Sequence, residues 1–171
     1  MTKFDLAKKR NGFQKLGKEL FDYLTGLPQS VRPEEKPRTG IQVLLKNPDP
    51  RSEDLITFPV YNPSERAQYF VCEKSFRTEL FGDATSQNSE NEKLKKFRGC
   101  VTISLHGGIL HCSVSGLFGS EDVAIAIILI AKATGVSIND VMINIGARQG
   151  KLPEEFYQEG HYLAELLKKY K

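Results

Sequence analysis

Residues 99–135 read GCVTISLHGGILHCSVSGLFGSEDVAIAIILIAKATG, and their pattern decides the fold class. Val101, Ile103 and Leu105 alternate with Thr102, Ser104 and His106. Gly107-Gly108 then turns the chain, and Leu110, Cys112 and Val114 alternate with His111, Ser113 and Ser115. A period of two on both sides of a two-residue glycine turn predicts a β-hairpin with one apolar and one polar face. A turn at Gly107-Gly108 sets His111 opposite Ser104 and Ser113 opposite Thr102. After Ser115-Gly116 the pattern changes. Ser120 is the N-cap candidate, Glu121 and Asp122 put two carboxylates on the positive end of a helix dipole, and Val123 to Ala131 contain no polar residue. That apolar run is far shorter than the ~20 residues a membrane span takes, so it predicts a helix buried in protein. A helix apolar all round must be covered on several sides.

Upstream, Phe13, Leu16, Leu20 and Leu24 fall at helical spacing, with Asn11 as the cap candidate and Gly26 before Pro28 as the stop. Pro28 to Arg38, rich in proline and charge, reads as a surface connection. Gly40 to Leu45 and Leu55 to Tyr61 read as strands, parted by Asn47-Pro48-Asp49-Pro50, and Pro59 assigns the second to a sheet edge or a bulge. Ser64 caps a helix over Glu65 to Phe81, with Ala67, Phe70, Val71, Leu80 and Phe81 available for its buried face and Gly82 as its end. Asp83 to Glu92 is a solvated loop. Past Gly135, Ser137 to Ile145 fits a short helix or a strand, and Pro153 opens a last helix carrying Phe156, Leu163, Leu167 and Tyr170.

The chain has 171 residues, which suits one α+β domain, an antiparallel sheet with helices packed on it. The net charge of +3 is small and the basic residues are spread along the chain, which argues against a nucleic-acid partner. Cys72, Cys100 and Cys112 are odd in number and lack Cys-x-x-Cys spacing, so they read as reduced thiols, small core residues in a reducing compartment. Met1 to Arg10 has no apolar signal-peptide run, and the expected location is cytoplasmic with no membrane partner. Neither phosphate-binding glycine signature occurs, nor the Gly-x-Ser-x-Gly elbow. Cys100, His106, His111 and Cys112 lack the short spacing of a zinc set, so no metal site is expected.

The order α-β-β-α-β-β-α, with its punctuation, resembles the GlcG/HbpS-like family, also called the haem-degrading domain family, which includes the C-terminal domain of PduO-type proteins. Three matches carry the resemblance: Lys74, eight residues ahead of Gly82; Gly99 at the opening of the hairpin; and Val114-Ser115-Gly116 with Asp122 seven residues after the serine. The family pattern is altered at Ser75, Arg77 and Thr78, at Cys100 to Thr102, and at Leu110 to Ser113. The likeness spans Phe13 to Ala133 and leaves 136–171 as an extra helical tail. It implies a profilin-like fold and homo-oligomers. It also implies haem or a related tetrapyrrole as ligand, near Lys74, Arg98, Gly99, His111, Ser115 and Gly116, with basic side chains meeting propionates and His111 supplying the ring nitrogen.

Each of these residues has a second role open to it. His111 ligates iron or shuttles a proton, or it fills a half-exposed sheet face with the neighbouring hydroxyls. Lys93, Lys95, Lys96 and Arg98 hold carboxylates or phosphates, or they form a solvated charge run. Asp122 supports the helix start through the dipole. Incomplete cover of Val123 to Ala131 favours a subunit partner. The reading from another class is a non-enzymatic scaffold or partner-binding protein without a cofactor, carried by the tail helix.

Overall fold

Alternation along the four strands sends nearly all of their large aliphatic side chains to one side of the sheet, and the layers follow from that. The computed structural model describes residues 4–33, 36–49, 51–86, 91–94, 96, 98–105, 108–149 and 161–170. Strands β1 (Gly40–Lys46), β2 (Leu55–Tyr61), β3 (Cys100–Leu105) and β4 (Gly108–Ser115) form one antiparallel sheet in the order β2-β1-β4-β3. Among the described residues there are five α-helices: α1 (Leu6–Thr25), α2 (Glu65–Phe81), α3 (Gly119–Thr134), α4 (Ile138–Gln149) and α5 (His161–Lys169). Ile41, Val43, Leu45, Phe58, Ile103, Leu110 and Val114 share one core with α1 and α3. Among the described helices α2 alone lies on the other face, across β1, β4 and β3.

Most stops fall where glycine and capping chemistry put them. Ser64 accepts from the Ala67 amide at 3.2 Å and starts α2, and Gly82, in the left-handed region at φ 66°, ends it. β2 is an edge strand, as Pro59 requires. Three expectations are corrected and one left open is decided. Asn11 caps nothing, because α1 begins five residues earlier at Leu6, whose buried side chain extends the apolar stripe upstream. Ser120 is not the N-cap of α3. The helix is capped at Phe118, whose amide donates to Glu121 at 3.1 Å while the Leu117 amide donates to Asp122 at 3.1 Å. The two acids do the capping themselves. The hairpin register differs by two residues: Thr102 faces His111 and Cys100 faces Ser113, with Leu105 opposite Gly108. Ser137 to Ile145 is helical, since the Ser137 hydroxyl accepts the Asp140 amide at 3.1 Å and starts α4.

The tail completes the core. Ile138, Val141, Met142 and Ile145 of α4 and Leu163, Leu166 and Leu167 of α5 join the same cluster as α3, so Val123 to Ile130 are buried within one chain. The premise that the first two helices and the hairpin leave Val123 to Ile130 incompletely covered is corrected by these two helices. Pro153 and Phe156 lie outside the described residues. No single described helix is long and apolar enough to cross a membrane.

Candidate functional site

The site grows from the polar face of the sheet. Thr102, His111, Ser113 and Ser115 point away from the aliphatic core, and α2 covers them with Lys74, Ser75, Arg77 and Thr78. These sheet residues are buried, not half-exposed as the hairpin alone suggests. Lys74, only 2% exposed, donates to the Val114 carbonyl and to Asp122 Oδ2, both at 2.9 Å. Asp122 Oδ1 accepts the Leu117 amide. One ion pair thus ties α2, the end of β4 and the start of α3 together. A buried pair satisfied by further hydrogen bonds offsets its desolvation cost; either partner alone does not. Burial pushes the Asp122 carboxyl above its ordinary range, against the opposing pull of the Lys74 ammonium and the Leu117 amide.

Gly99 is needed where it stands. A Cβ there would lie 2.6 Å from Lys74 Nζ and 2.8 Å from Asp122 Cβ, at φ 137°. Gly116 sits as tightly, with a Cβ 2.4 Å from the Gly40 carbonyl. Both glycines therefore admit close packing around the ion pair and the β4–α3 turn.

A second buried pair stands one residue away. Arg32 holds Glu121 through both carboxylate oxygens, with Nη2 to Oε2 at 2.8 Å, and the Tyr162 hydroxyl donates to Oε1 at 3.1 Å. Arg32 and Arg38 stack on the Phe118 ring at 5.0 and 5.1 Å. Above these pairs opens a cleft of about 610 Å³. Its charged lining is Arg38, Arg66, Arg98 and Lys74 against the one carboxylate of Asp122. Gly119 and Ser120 also line it; their amides are among those a helix start leaves without an intrahelical acceptor. Four cations beside a helix N-terminus suit carboxylate or phosphate oxygens, and the cleft's size is within the range of small-molecule sites.

Of the residues expected to share a site, Lys74, Arg98, Ser115 and Gly116 line this cleft and Gly99 lies against Lys74 beneath it. His111 does not join them. It borders a separate cavity with Thr102, Asn47 and Glu79 at the far end of α2, its Nδ1 hydrogen-bonded to Thr102 Oγ1 at 2.9 Å. It stands four residue steps along β4 from Ser115, roughly 13 Å at the strand rise. Helix α2 covers the sheet between them. The arrangement does not fit a haem that uses His111 and the basic side chains together. Among the described residues no cluster of His, Cys, Asp and Glu is arranged to hold a metal ion.

Arg98 alone of the basic run reaches the cleft among the described residues; Lys93 and Lys96 do not line it. Sequence reasoning missed Arg32, Arg38, Arg66, Glu121, Phe118 and Tyr162. One signal was available for Arg66: Gly40 faces Tyr61 and Gln42 faces Ser115, so the first turn of α2 falls beside Gly116 once the strands are paired. Cys72 is exposed, while Cys100 and Cys112 are buried and all three are unbonded thiols. Burial pushes Cys100 up to about 11 and Cys112 well above its ordinary value. No protein-family model, no curated protein and no solved structure matches the chain.

Proposed function

We propose that the chain is a cytoplasmic, oligomeric ligand-binding domain of the GlcG/HbpS-like type with a profilin-like fold, and that its ligand is a small organic anion. The reading rests on the cleft at the start of α3, where Arg38, Arg66, Arg98 and Lys74 meet one neutralised carboxylate. Lys74 spends two of its three ammonium protons on Val114 and Asp122, which leaves one for a ligand oxygen. Phe70 and Phe118, each under a guanidinium, give the ligand's carbon body an apolar wall. The three unbonded thiols favour a reducing compartment.

A tetrapyrrole in this cleft would be held by its propionates, without His111. Thermal unfolding with citrate or glucose 6-phosphate as probe tests the reading. At least one of them raises the midpoint saturably, and Arg66→Ala and Arg98→Ala each weaken that binding roughly tenfold, about 1.4 kcal/mol. A midpoint that neither anion moves, or that moves equally in both variants, overturns it. A haemin Soret shift lost in Arg98→Ala and kept in His111→Ala would identify the organic anion as a tetrapyrrole. A shift lost in His111→Ala would move the site to the other end of α2.

A further inference from the structure

We infer that the outer face of α2 is a seam for a second copy of this chain. Tyr69, Phe76 and Leu80 are 67, 66 and 64% exposed, and Cys72 between them is exposed as well. At i, i+3, i+7 and i+11 the four form one stripe along the helix. The inner face of the same helix holds Lys74, Ser75, Arg77 and Thr78. The helix therefore buries Lys74 and Arg77 while Tyr69, Phe76 and Leu80 face outward, the reverse of what water on one side favours for these residues.

The size and shape of the stripe suit its own copy. Its exposed apolar area is roughly 400 Å², given what aromatic side chains can bury. Homodimer interfaces are about 65% apolar, so this stripe implies about 600 Å² per copy, near the ~1,200 Å² total where specific interfaces begin. Laid antiparallel on itself, the stripe puts Tyr69 beside Leu80 and the small Cys72 beside the large Phe76, and an isologous contact needs no other surface. The carboxylate nearest the seam is already neutralised: Glu73 accepts from Arg77 Nε at 2.8 Å and Nη2 at 3.1 Å. Two copies thus meet without bringing bare acids together.

The seam is independent of the arginine cleft and is tested on the full chain. Sedimentation velocity of the wild type at tens of micromolar gives a dimer mass, and Phe76→Glu and Leu80→Gln each give a monomer with unchanged circular dichroism. The antiparallel register separates the two Cys72 positions by roughly 7 Å along the helix axes. A short bis-maleimide therefore joins two wild-type chains through Cys72 and yields only singly modified chains in Phe76→Glu. A wild-type monomer, a dimer that survives both substitutions, or a cross-link yield unaltered by Phe76→Glu overturns the seam.

Discussion

Helices α3 and α2 are of similar length and lie on opposite faces of one sheet, yet they satisfy burial in opposite ways. Eight consecutive residues of α3, Val123 to Ile130, are buried against strands and helices, and its two first-turn acids are the only charges it buries. α2 turns a lysine, an arginine, a serine and a threonine to the sheet and leaves Tyr69, Phe76 and Leu80 in solvent. The difference lies in what each helix meets. The aliphatic face of the sheet rewards any apolar side chain without regard to direction. A charge buried under the polar face is stable only if it finds its partners, which is why Lys74 reaches both Val114 and Asp122. One layer is held by area, the other by geometry.

The largest contrast should appear in thiol chemistry. At pH 8 a thiol with a pKa near 11 is about one part in a thousand thiolate. Cys100 under α2, pushed up to about 11, should therefore react with a disulfide reagent at least about a hundredfold more slowly than the exposed Cys72 on the helix's outer face. One equivalent of thiol reacting in native protein and three after unfolding is the expected stoichiometry. Fast release of a second equivalent would show that α2 lifts off the sheet. Next in size is the ion pair. Lys74→Ala leaves Asp122 buried without its cation and should cost about 3–5 kcal/mol in urea unfolding, while Lys74→Met with Asp122→Leu should recover much of that loss. On the area-held side, Ile127→Ala should cost about 3 kcal/mol by the same measurement, since the residue is fully buried. If Lys74→Ala costs less than Ile127→Ala, the division between geometry and area is wrong. Loss of the α2 cap by Ser64→Ala should cost about 1 kcal/mol.

The area-held half was legible and the geometry-held half was not. Alternation from Val101 to Val114, the cap at Ser64 and the glycines at 26, 82 and 135 located strands and helices because each signal is local. The hairpin register escaped because moving the turn by one residue shifts the pairing by two and keeps every side chain on its face. Pattern alone therefore cannot tell His111 opposite Ser104 from His111 opposite Thr102. The buried face of α2 was misread at Leu80 and Phe81, both exposed, because an amphipathic reading assumes an apolar partner, and here the partner is Thr102, His111, Ser113 and Ser115. Lys74, Ser115 and Gly116, named from motif positions, and Arg98, named from the basic run, do line the cleft. Arg32 and Arg38 could not be named, since a loop between Pro28 and Gly40 carries no periodicity that says where its side chains go. The split between His111 and the cleft depends on α2 lying between them, which is a fact of packing.

The smallest expected effect is the most discriminating. Phe76→Ala removes a large aromatic ring, and on composition it should rank with Ile127→Ala. The ring is 66% exposed, however, so truncation takes little area out of the folded monomer and leaves no cavity. In dilute protein, below the concentration at which copies associate, its unfolding free energy should stay within about 0.5 kcal/mol of wild type. At high concentration the two proteins should separate, because a ligand that binds only the folded state stabilises it by mass action, and here the ligand is a second copy. Wild-type stability should climb with concentration and that of Phe76→Ala should not. A loss of several kcal/mol at high dilution would place Phe76 in a monomer core and break the comparison at its α2 end. Equal stabilities at every concentration would remove the second copy and leave α2 a helix that shows its aromatics to water.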